Sequence, residues 1–435
     1  MDAEIGKEID LRIERLGIHG EGVGSFYGYT IFVEGALPGE IAHAQIYEKR
    51  KNFGRARLIS PGAPSSHRVQ PVCPLFGKCG GCQLMHMTYA GQLETKRQRV
   101  VDALHRIGKL PGCEVSPCQP SPRPLAYRNK IQLPVVDSQL GLYAHNTHDI
   151  VPIERCHIHC ELGERAFQCI RIYLQANPLE EIRHVLIKTA IHTEQVLVVF
   201  VTKHKNTPAL TAFAENLMKK LPQIRGVVQN INPSSSNTVL SGNFHTLAGI
   251  DHIEESINGL KFKVSPASFF QVNPSQAQKL YAYALECAAL QGEEKVLDAY
   301  CGVGTLSLIF AEHAKEVIGV ECVPAAINDA RENALRNKIT NAVFHCAPAE
   351  EFITTLNEID VVILNPPRKG CDPSLLSKLK TLKPKKIVYI SCDPATLARD
   401  LALLCQDCFH LERVQPFDMF PQTAHVETIA LLSLS

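Results

Sequence analysis

Short alternating segments separated by glycines characterise the N-terminal part of the chain. Apolar side chains occupy every second position at Ile9, Leu11 and Ile13, as in a strand with one buried side. Several such strands joined by glycine turns predict a small closed β-barrel of the OB type over residues 1–62. A segment rich in Pro and Ser, 61–74, follows as a connector.

The middle of the chain mixes helical and strand patterns. Residues 92–106 have helical periodicity, and VLIKTAIHTEQVLVVFV (185–201) predicts a β-hairpin. A helix over TPALTAFAENLMKKL (207–221) and a strand over GVVQNIN (226–232) follow. We therefore expect an α+β central domain over residues 63–260.

Beyond Lys263 the pattern changes to apolar strands that alternate with longer helices. This order is typical of a mostly parallel sheet with helices on both faces. We expect an α/β domain over residues 261–435.

Composition limits the class of protein. The 435 residues are 45% hydrophobic and 20% charged, which is typical of a folded globular chain of two or three domains. The start lacks the apolar core of a signal peptide, and no long uncharged apolar stretch predicts a membrane span. We expect a cytoplasmic protein, in which the 16 cysteines do not form a disulfide framework.

The net charge of +1 conceals two basic runs in one third of the chain. YEKRKNFGRARL (47–58) carries five basic residues and one acidic residue, and KRQRVVDALHRIGK (96–109) is similarly basic. Either run alone is typical of a solvated face. Together they favour a local phosphate-binding surface.

VLDAYCGVGTLSL (296–308) combines an apolar strand, a Gly-x-Gly turn and a helix. Glycines there allow a ligand to approach the backbone, and a helix N-terminus favours an anion. The next strand ends in Glu321, an acid suited to ribose hydroxyls. The third glycine of a dinucleotide site is missing, and Thr305 comes directly after Gly304. The arrangement, with Asp298 at the strand end, resembles the S-adenosylmethionine site of a class I, Rossmann-like methyltransferase.

IVYISCDPATLARD (387–400) places Cys392 between a strand and a helix, with Asp393 as the predicted N-cap. The alternative to a nucleophile is a buried structural cysteine. A methyltransferase needs such a thiolate to activate carbon 5 of uracil by addition at carbon 6, and it needs a base to remove the carbon 5 proton. Glu427, at the start of the last strand, is the candidate base, and His425 is second.

Three cysteines, Cys73, Cys79 and Cys82, have the spacing C-x5-C-x2-C. IERCHIHC (153–160) offers either Cys156 or Cys160 as a fourth ligand. Spacing alone leaves zinc and an iron–sulfur cluster equally open. The segment lies too far along the chain from Cys392 for a chemical role to be assigned to it, so we interpret it as a structural metal site.

The chain resembles the RNA uracil-5-methyltransferase family. Its motifs occur in order across the C-terminal part of the chain, and the N-terminal barrel resembles the TRAM domain. The cysteine segment resembles the [4Fe–4S] site of the members that act on 23S ribosomal RNA. The motifs are SFFQVNPSQAQKLY, DAYCGVGTLSL, NPPRKG, SCDPATLARD and DMFPQTAHVET.

The resemblance implies a role for each candidate residue. Cys392 would be the nucleophile and Glu427 the base. The residues implied at S-adenosylmethionine or the target uracil are Gln271, Tyr300, Thr305, Glu321 and Asn365, and those implied at the [4Fe–4S] cluster are Cys73, Cys79, Cys82 and Cys156. Asn365 stands where many members have Asp, and Asp393 stands where Asn is commoner. Phe269 would stack on a base or belong to the core.

The resemblance implies 23S ribosomal RNA as the partner of a monomeric protein, with transfer RNA as the alternative target. Two other hypotheses remain. In NPPRKG, Arg368 replaces the aromatic residue of an Asn-Pro-Pro amino-methyltransferase, which would not need Cys392. A non-catalytic RNA-binding protein would not need the pair of Cys392 and Glu427.

Overall fold

The computed structural model describes residues 3–205, 208–234 and 238–435. No helix in these ranges combines the length and the apolar character that crossing a membrane requires.

A five-stranded closed barrel forms the N-terminal part, as the alternation predicts. The strand order is β1-β2-β3-β5-β4, and β3 pairs with β5 in parallel while the other pairs are antiparallel. Ile9, Leu11 and Ile13 point into its core, and the exposed residues alternate with them. The strands are β1 (Glu8–Leu16), β2 (Gly22–Phe26), β3 (Tyr29–Glu34), β4 (Ile41–Lys49) and β5 (Phe53–Ser60).

A seven-stranded sheet occupies the middle of the chain, in the order β12-β11-β10-β9-β6-β7-β8. The predicted hairpin is confirmed, because β9 and β10 pair antiparallel. The elements are α1 (Tyr89–Arg106), β6 (Lys130–Val136), β7 (Gln139–Tyr143), β8 (Ile150–Pro152), α2 (Glu161–Ala176), β9 (Ile182–Ala190), β10 (Gln195–Thr202), α3 (Pro208–Lys220), β11 (Ile224–Ile231) and β12 (Phe244–Gly249). A separate hairpin, β13 (Ile253–Ile257) and β14 (Leu260–Val264), follows.

The C-terminal sheet has the order β17-β16-β15-β18-β19-β21-β20. Five strands, from β17 to β19, are parallel, and β21 runs antiparallel between β19 and β20. The elements are α4 (Pro274–Ala288), β15 (Lys295–Asp298), α5 (Thr305–Ala311), β16 (Glu316–Glu321), α6 (Pro324–Arg336), β17 (Ala342–Cys346), α7 (Ala349–Phe352), β18 (Val361–Leu364), α8 (Pro373–Leu382), β19 (Lys386–Ser391), α9 (Pro394–Leu404), β20 (Phe409–Phe417) and β21 (Glu427–Leu434).

Both faces of this sheet are covered, as predicted. In β15, Val296 packs into one apolar cluster and Leu297 into the other, and β18 alternates in the same way. Strands buried on both faces explain the continuous apolar runs in the sequence.

Helix α1 lies inside the range expected for the central domain but packs against the C-terminal sheet. Its residues Val100 and Leu104 share an apolar cluster with Leu397 and Leu401 of α9. Residues 115–119 run beside β20 and bond to its backbone. The boundaries at residues 62 and 260 stay predictions.

Two cations of the basic run at 96–109 bind protein groups, whereas Arg106 and Lys109 near its end are exposed, so the phosphate-binding surface stays a prediction. The Nζ atom of Lys96, 1% exposed, lies 2.5 Å from the carboxylate of the buried Asp418. Arg99 donates to the carbonyl oxygen of Ala424. The helix uses these cations to bind the C-terminal loop, residues 418–426, instead of solvent.

Candidate active site

A cavity of about 1200 Å³ opens at the carboxyl ends of β15, β16, β18 and β19. Ligands bind at this edge in open α/β sheets. All but one of the predicted site residues line the cavity, namely Cys73, Cys79, Cys82, Cys156, Gln271, Tyr300, Glu321, Asn365, Cys392 and Glu427. The exception, Thr305, is buried at the start of α5 and is not part of the lining.

Cys392 and Glu427 meet because β21 is antiparallel to β19. Ser391, the last residue of β19, pairs with Thr428 of β21, so the end of one strand lies beside the start of the other. Cys392 follows Ser391 directly, and Glu427 precedes Thr428 directly. The candidate nucleophile and base are therefore at the same end of adjacent strands, although they are 35 positions apart in the sequence.

Burial controls the ionisation of both groups. Glu427 is 4% exposed, and burial raises the pKa of its carboxyl to about 8. Burial also raises the pKa of the half-buried Cys392 thiol to about 11, and the charges of Glu427 and Asp393 act in the same direction. Arg368, on the loop after β18, opposes them and favours the thiolate.

Asp393 caps α9, as the sequence predicts. Its carboxylate accepts hydrogen bonds from the backbone N–H groups of Ala395 (2.8 Å) and Thr396 (3.2 Å), and Pro394 opens the helix. His425 lines the same cavity, and burial lowers the pKa of its imidazole to about 4, with Arg368 as the next cause. His425 is thus neutral near pH 7, and its lowered pKa makes it a weaker base than an ordinary histidine.

The Gly-x-Gly loop leaves room for a ligand at the backbone. Gly302 and Gly304 both have positive φ, and a Cβ atom on Gly302 would meet no atom within 4 Å. Asp298 is buried below the loop and accepts a hydrogen bond from the Ser307 hydroxyl at 2.7 Å. It therefore orients the loop from inside. Glu321 is at the cavity wall, where its carboxylate accepts from the Val323 N–H at 3.0 Å.

The loop before α4 contributes one aromatic side chain and one amide. Phe269 is 70% exposed at the cavity, whereas Phe270 is buried in the core, so Phe269 is not a core residue. Gln271 is buried at the lining, and its carbonyl oxygen accepts from the Asn129 amide at 3.2 Å. An exposed ring beside a deep cavity is suited to stacking on a base.

The four cysteines implied as cluster ligands line one part of this cavity. The pKa of the Cys82 thiol is raised by burial and then by the neighbouring thiols of Cys156, Cys79 and Cys73. Cys160, the other candidate, is buried at the start of α2 and is absent from the lining. Across the three described ranges, no three or more Cys, His, Asp or Glu side chains are arranged as metal ligands. The thiols are neighbours, but their sulfurs are not gathered in a coordination geometry.

The distance along the chain from the cysteines to Cys392 does not correspond to distance in space. The cysteine segment and the candidate nucleophile line the same cavity. Distance along the chain is therefore no argument against a chemical role for the cysteine segment, and the structural metal site stays a prediction.

A second cavity of about 930 Å³ lies between the barrel and the cysteine segment. Phe76, Cys79, Cys82 and Gln83 line both cavities, so the two are adjacent. The basic run 47–58 contributes to this second cavity. Its cations lie over aromatic rings: Arg55 is 5.9 Å from the ring centroids of Phe32 and Phe53, and Arg57 is 5.9 Å from that of Tyr47.

The residues that hold the C-terminal loop in place were not predicted from local patterns. Lys96 and Arg99 bind it from α1, and the Tyr127 hydroxyl donates to the carbonyl oxygen of Pro421 at 3.1 Å. The Gln92 amide donates to the Gln422 side chain at 3.0 Å. These contacts join residues about 300 positions apart, so no local pattern indicates them. The motif DMFPQTAHVET was the only available signal.

Comparison with known proteins agrees with this geometry. The tRNA (Uracil-5-)-methyltransferase family matches residues 180–435, and the TRAM domain matches residues 2–59. An uncharacterized RNA methyltransferase of Listeria innocua is 42% identical, with all of both chains covered. One from Bacillus cereus is 40% identical over 98% of this chain and 96% of its own.

A solved structure has the same fold over nearly the whole chain. The tRNA (uracil-54, C5)-methyltransferase of Pyrococcus abyssi, in complex with S-adenosyl-L-homocysteine, is 28% identical. It matches with a TM-score of 0.79 over 98% of this chain and 100% of its own. The family match over 180–435, the barrel at the N-terminus and the full-length relatives agree: the chain belongs to the tRNA (uracil-5-)-methyltransferase family and is an RNA methyltransferase with a TRAM domain.

Proposed function

We propose that the protein methylates carbon 5 of a uridine in 23S ribosomal RNA, as a monomer, with S-adenosylmethionine as the methyl donor. The observation that carries this proposal is the pairing of Cys392 with Glu427 across β19 and β21. It creates a nucleophile and a buried carboxyl at one cavity, beside the Gly-x-Gly loop.

The thiolate of Cys392 forms a bond to carbon 6 of the uracil, and the ring becomes an enolate that is nucleophilic at carbon 5. S-adenosylmethionine, when bound, would supply the electrophilic methyl group, which bonds to carbon 5 while its bond to the sulfonium breaks and S-adenosylhomocysteine is the leaving group. The Glu427 carboxylate then takes the proton from carbon 5, the bond between carbon 6 and sulfur breaks, and the thiolate is released. Arg368 favours the thiolate at the start and at the end of this cycle.

The cofactor residues fit an adenosyl ligand. The open backbone at Gly302 accommodates close approach, and Glu321 at the end of β16 suits the ribose hydroxyls. Gln271, Tyr300 and Asn365 line the same cavity. Thr305 is buried, so its contribution is to the start of α5 and not to the cavity wall.

We also propose that Cys73, Cys79, Cys82 and Cys156 hold a [4Fe–4S] cluster. The neighbouring thiols in one cavity wall and the all-cysteine donor set support this, since thiolates are the usual ligands of such clusters. The cluster would join the cysteine segment to the loop between β8 and α2, where Cys156 lies, and shape the RNA surface. Anaerobic purification should give a brown protein containing iron and sulfide. A colourless protein with stoichiometric zinc would overturn the assignment.

The adjacent second cavity supports an RNA path from the barrel to Cys392. Its arginines and aromatic rings suit phosphates and unstacked bases. A target base in folded RNA would have to be flipped out, at a cost of roughly a few kcal/mol.

Transfer RNA is the second candidate substrate, because the structurally similar Pyrococcus abyssi protein is a tRNA (uracil-54, C5)-methyltransferase. The experiment that separates the candidates uses 5-fluorouridine-substituted 23S ribosomal RNA fragments and transfer RNA, each with S-adenosylmethionine. Fluorine at carbon 5 blocks elimination, so the true substrate gives a covalent band on a denaturing gel.

The band should disappear in Cys392→Ala. Methyl transfer to ordinary RNA without any adduct would favour the Asn-Pro-Pro amino-methyltransferase instead. RNA binding without methyl transfer or cofactor binding would favour the non-catalytic hypothesis.

A further inference from the structure

Asp400 is a fully buried carboxylate that the proposed chemistry does not use. It lies on α9, eight positions after Cys392, in the same SCDPATLARD motif. A buried charge is costly unless it is fully paired. Its oxygens accept hydrogen bonds from the Tyr389 hydroxyl at 2.6 Å, the Cys371 N–H at 2.9 Å and Arg399 Nε at 2.8 Å.

Two of these partners connect α9 to the Asn-Pro-Pro loop, residues 365–371. The Cys371 N–H donates to Asp400, and Arg399 Nη2 donates to the carbonyl oxygen of Lys369 at 3.0 Å. Between them lies Gly370, whose φ is +79°. A Cβ atom there would lie 2.4 Å from Arg399 Nη2 and 2.7 Å from Asp400 Oδ2. Three consecutive residues of the loop are thus in contact with the Arg399–Asp400 pair.

The residue before this contact is Arg368, which lines the cavity. The charged groups that act on Cys392 are Glu427 on β21, Asp393 on α9 and Arg368 on the Asn-Pro-Pro loop. Among these three, Arg368 alone favours the thiolate. Its position relative to the sulfur depends on how the loop is held, because the loop is otherwise a turn between β18 and α8.

We propose that Arg399 and Asp400 are positioning residues that hold the Asn-Pro-Pro loop, and with it Arg368, beside the sulfur of Cys392. Cys392 directly precedes α9, and the two residues that hold the loop of Arg368 lie about two turns further along the same helix. Tyr389, three positions before Cys392 on β19, bonds to the same carboxylate and fixes the helix against the strand. The inference rests on the proposed role of Cys392 as the nucleophile.

The test is the rate at which iodoacetamide alkylates Cys392 as a function of pH, without RNA or cofactor. Peptide mass spectrometry separates this site from the other 15 cysteines. Arg399→Met should move the profile to higher pH and slow the reaction at pH 8 by about three- to tenfold. The reason is that the loop is released and the charge of Arg368 is no longer held near the thiolate. Arg368→Gln should have an effect of the same size and direction.

The double variant decides between positioning and general stability. If Arg399 acts through Arg368, then Arg399→Met in the Arg368→Gln background adds no further shift. A profile of Arg399→Met that coincides with wild type, or two shifts that add in the double variant, would overturn the proposal. Arg413→Met, which removes an exposed arginine on β20, is the matched control and should leave the profile unchanged.

Two further variants test the same proposal if Arg399→Met does not fold. Arg399→Lys keeps the charge but loses the fork that reaches Asp400 and Lys369 together, so it should shift the profile in the same direction. Gly370→Ala should do so as well, through the contact described above. The 5-fluorouridine adduct of the wild-type protein distinguishes failure of the positioning role from failure of the proposed function. If the adduct forms but the variants do not shift the alkylation profile, only the positioning role is refuted. If no adduct forms, the proposed function is refuted.

Discussion

The carboxyl group of Glu427 makes the folded protein less stable as the pH rises, and Glu427→Gln removes this effect. Burial raises the pKa of the group from its ordinary value of 4.5 to about 8. In the proposed mechanism the ionised form abstracts the proton, so the site would keep a carboxyl group whose reactive form is costly inside the fold. The variant keeps the shape of the side chain and loses the charge.

The direction of the change in the free energy of unfolding with pH depends on whether the folded or the unfolded chain holds the proton of Glu427. Below about pH 4.5 the group is protonated in both the folded and the unfolded chain, so its contribution to stability is fully present. Between about pH 4.5 and 8 the unfolded chain releases the proton and the folded chain keeps it. The free energy of unfolding then falls by about 1.4 kcal/mol per pH unit, and the loss ends above about pH 8. From pH 6 to pH 8 the wild-type protein should lose roughly 2–3 kcal/mol relative to Glu427→Gln.

Urea unfolding at pH 6, 7 and 8 measures this difference. The chain contains no tryptophan, so far-ultraviolet circular dichroism is the suitable signal. The other titrating groups are common to both proteins and cancel in the difference. Glu412→Gln, which removes an exposed carboxylate on β20, should follow the wild-type pH dependence. If wild type and Glu427→Gln change in parallel with pH, the carboxyl of Glu427 is not held protonated by burial.

Three other predictions follow from the same structure. Cys392→Ala should abolish turnover and keep the affinity for S-adenosylmethionine, measured by calorimetry; loss of cofactor binding would mean that the residue shapes the cofactor site instead. Lys96→Met should lower the free energy of unfolding by about 3–5 kcal/mol, because it leaves the buried Asp418 carboxylate unpaired. The double variant Lys96→Met with Asp418→Asn should recover part of this loss, and an equal loss in both would exclude the unpaired charge as its cause. Cys79→Ser should remove the brown colour of anaerobically purified protein while Cys160→Ser keeps it, and the opposite result would exchange the two residues as ligands.

Local patterns predicted the parts of the fold that depend on neighbours in sequence. The alternation at Ile9, Leu11 and Ile13 gave the barrel, and the strand, turn and helix around Gly302 gave the cofactor loop. Asp393 was recognisable as a helix cap because capping involves residues two and three positions away.

Properties that depend on distant partners could not be predicted in this way. Lys96 belongs to a basic run that is typical of a solvated face, yet its partner Asp418 is 322 positions away. The same holds for the cysteines and Cys392, since sequence distance gave no indication of a shared cavity. The charge of Asp400 was visible in the sequence, but its role depends on Gly370 and Lys369, which follow a different strand.

The packing of α1 and of residues 115–119 has a consequence for the C-terminal sheet as a separate piece. A fragment that starts at residue 261 would lack the helix that covers Leu397 and Leu401 and the segment that bonds to the outer strand β20. It would expose an apolar face and an unpaired strand edge together, which is the combination that promotes edge-to-edge aggregation. Such a fragment should aggregate when expressed alone, and supplying residues 89–120 on the same chain should restore solubility. We therefore expect that the C-terminal sheet does not fold on its own, although its sequence motifs form an uninterrupted block.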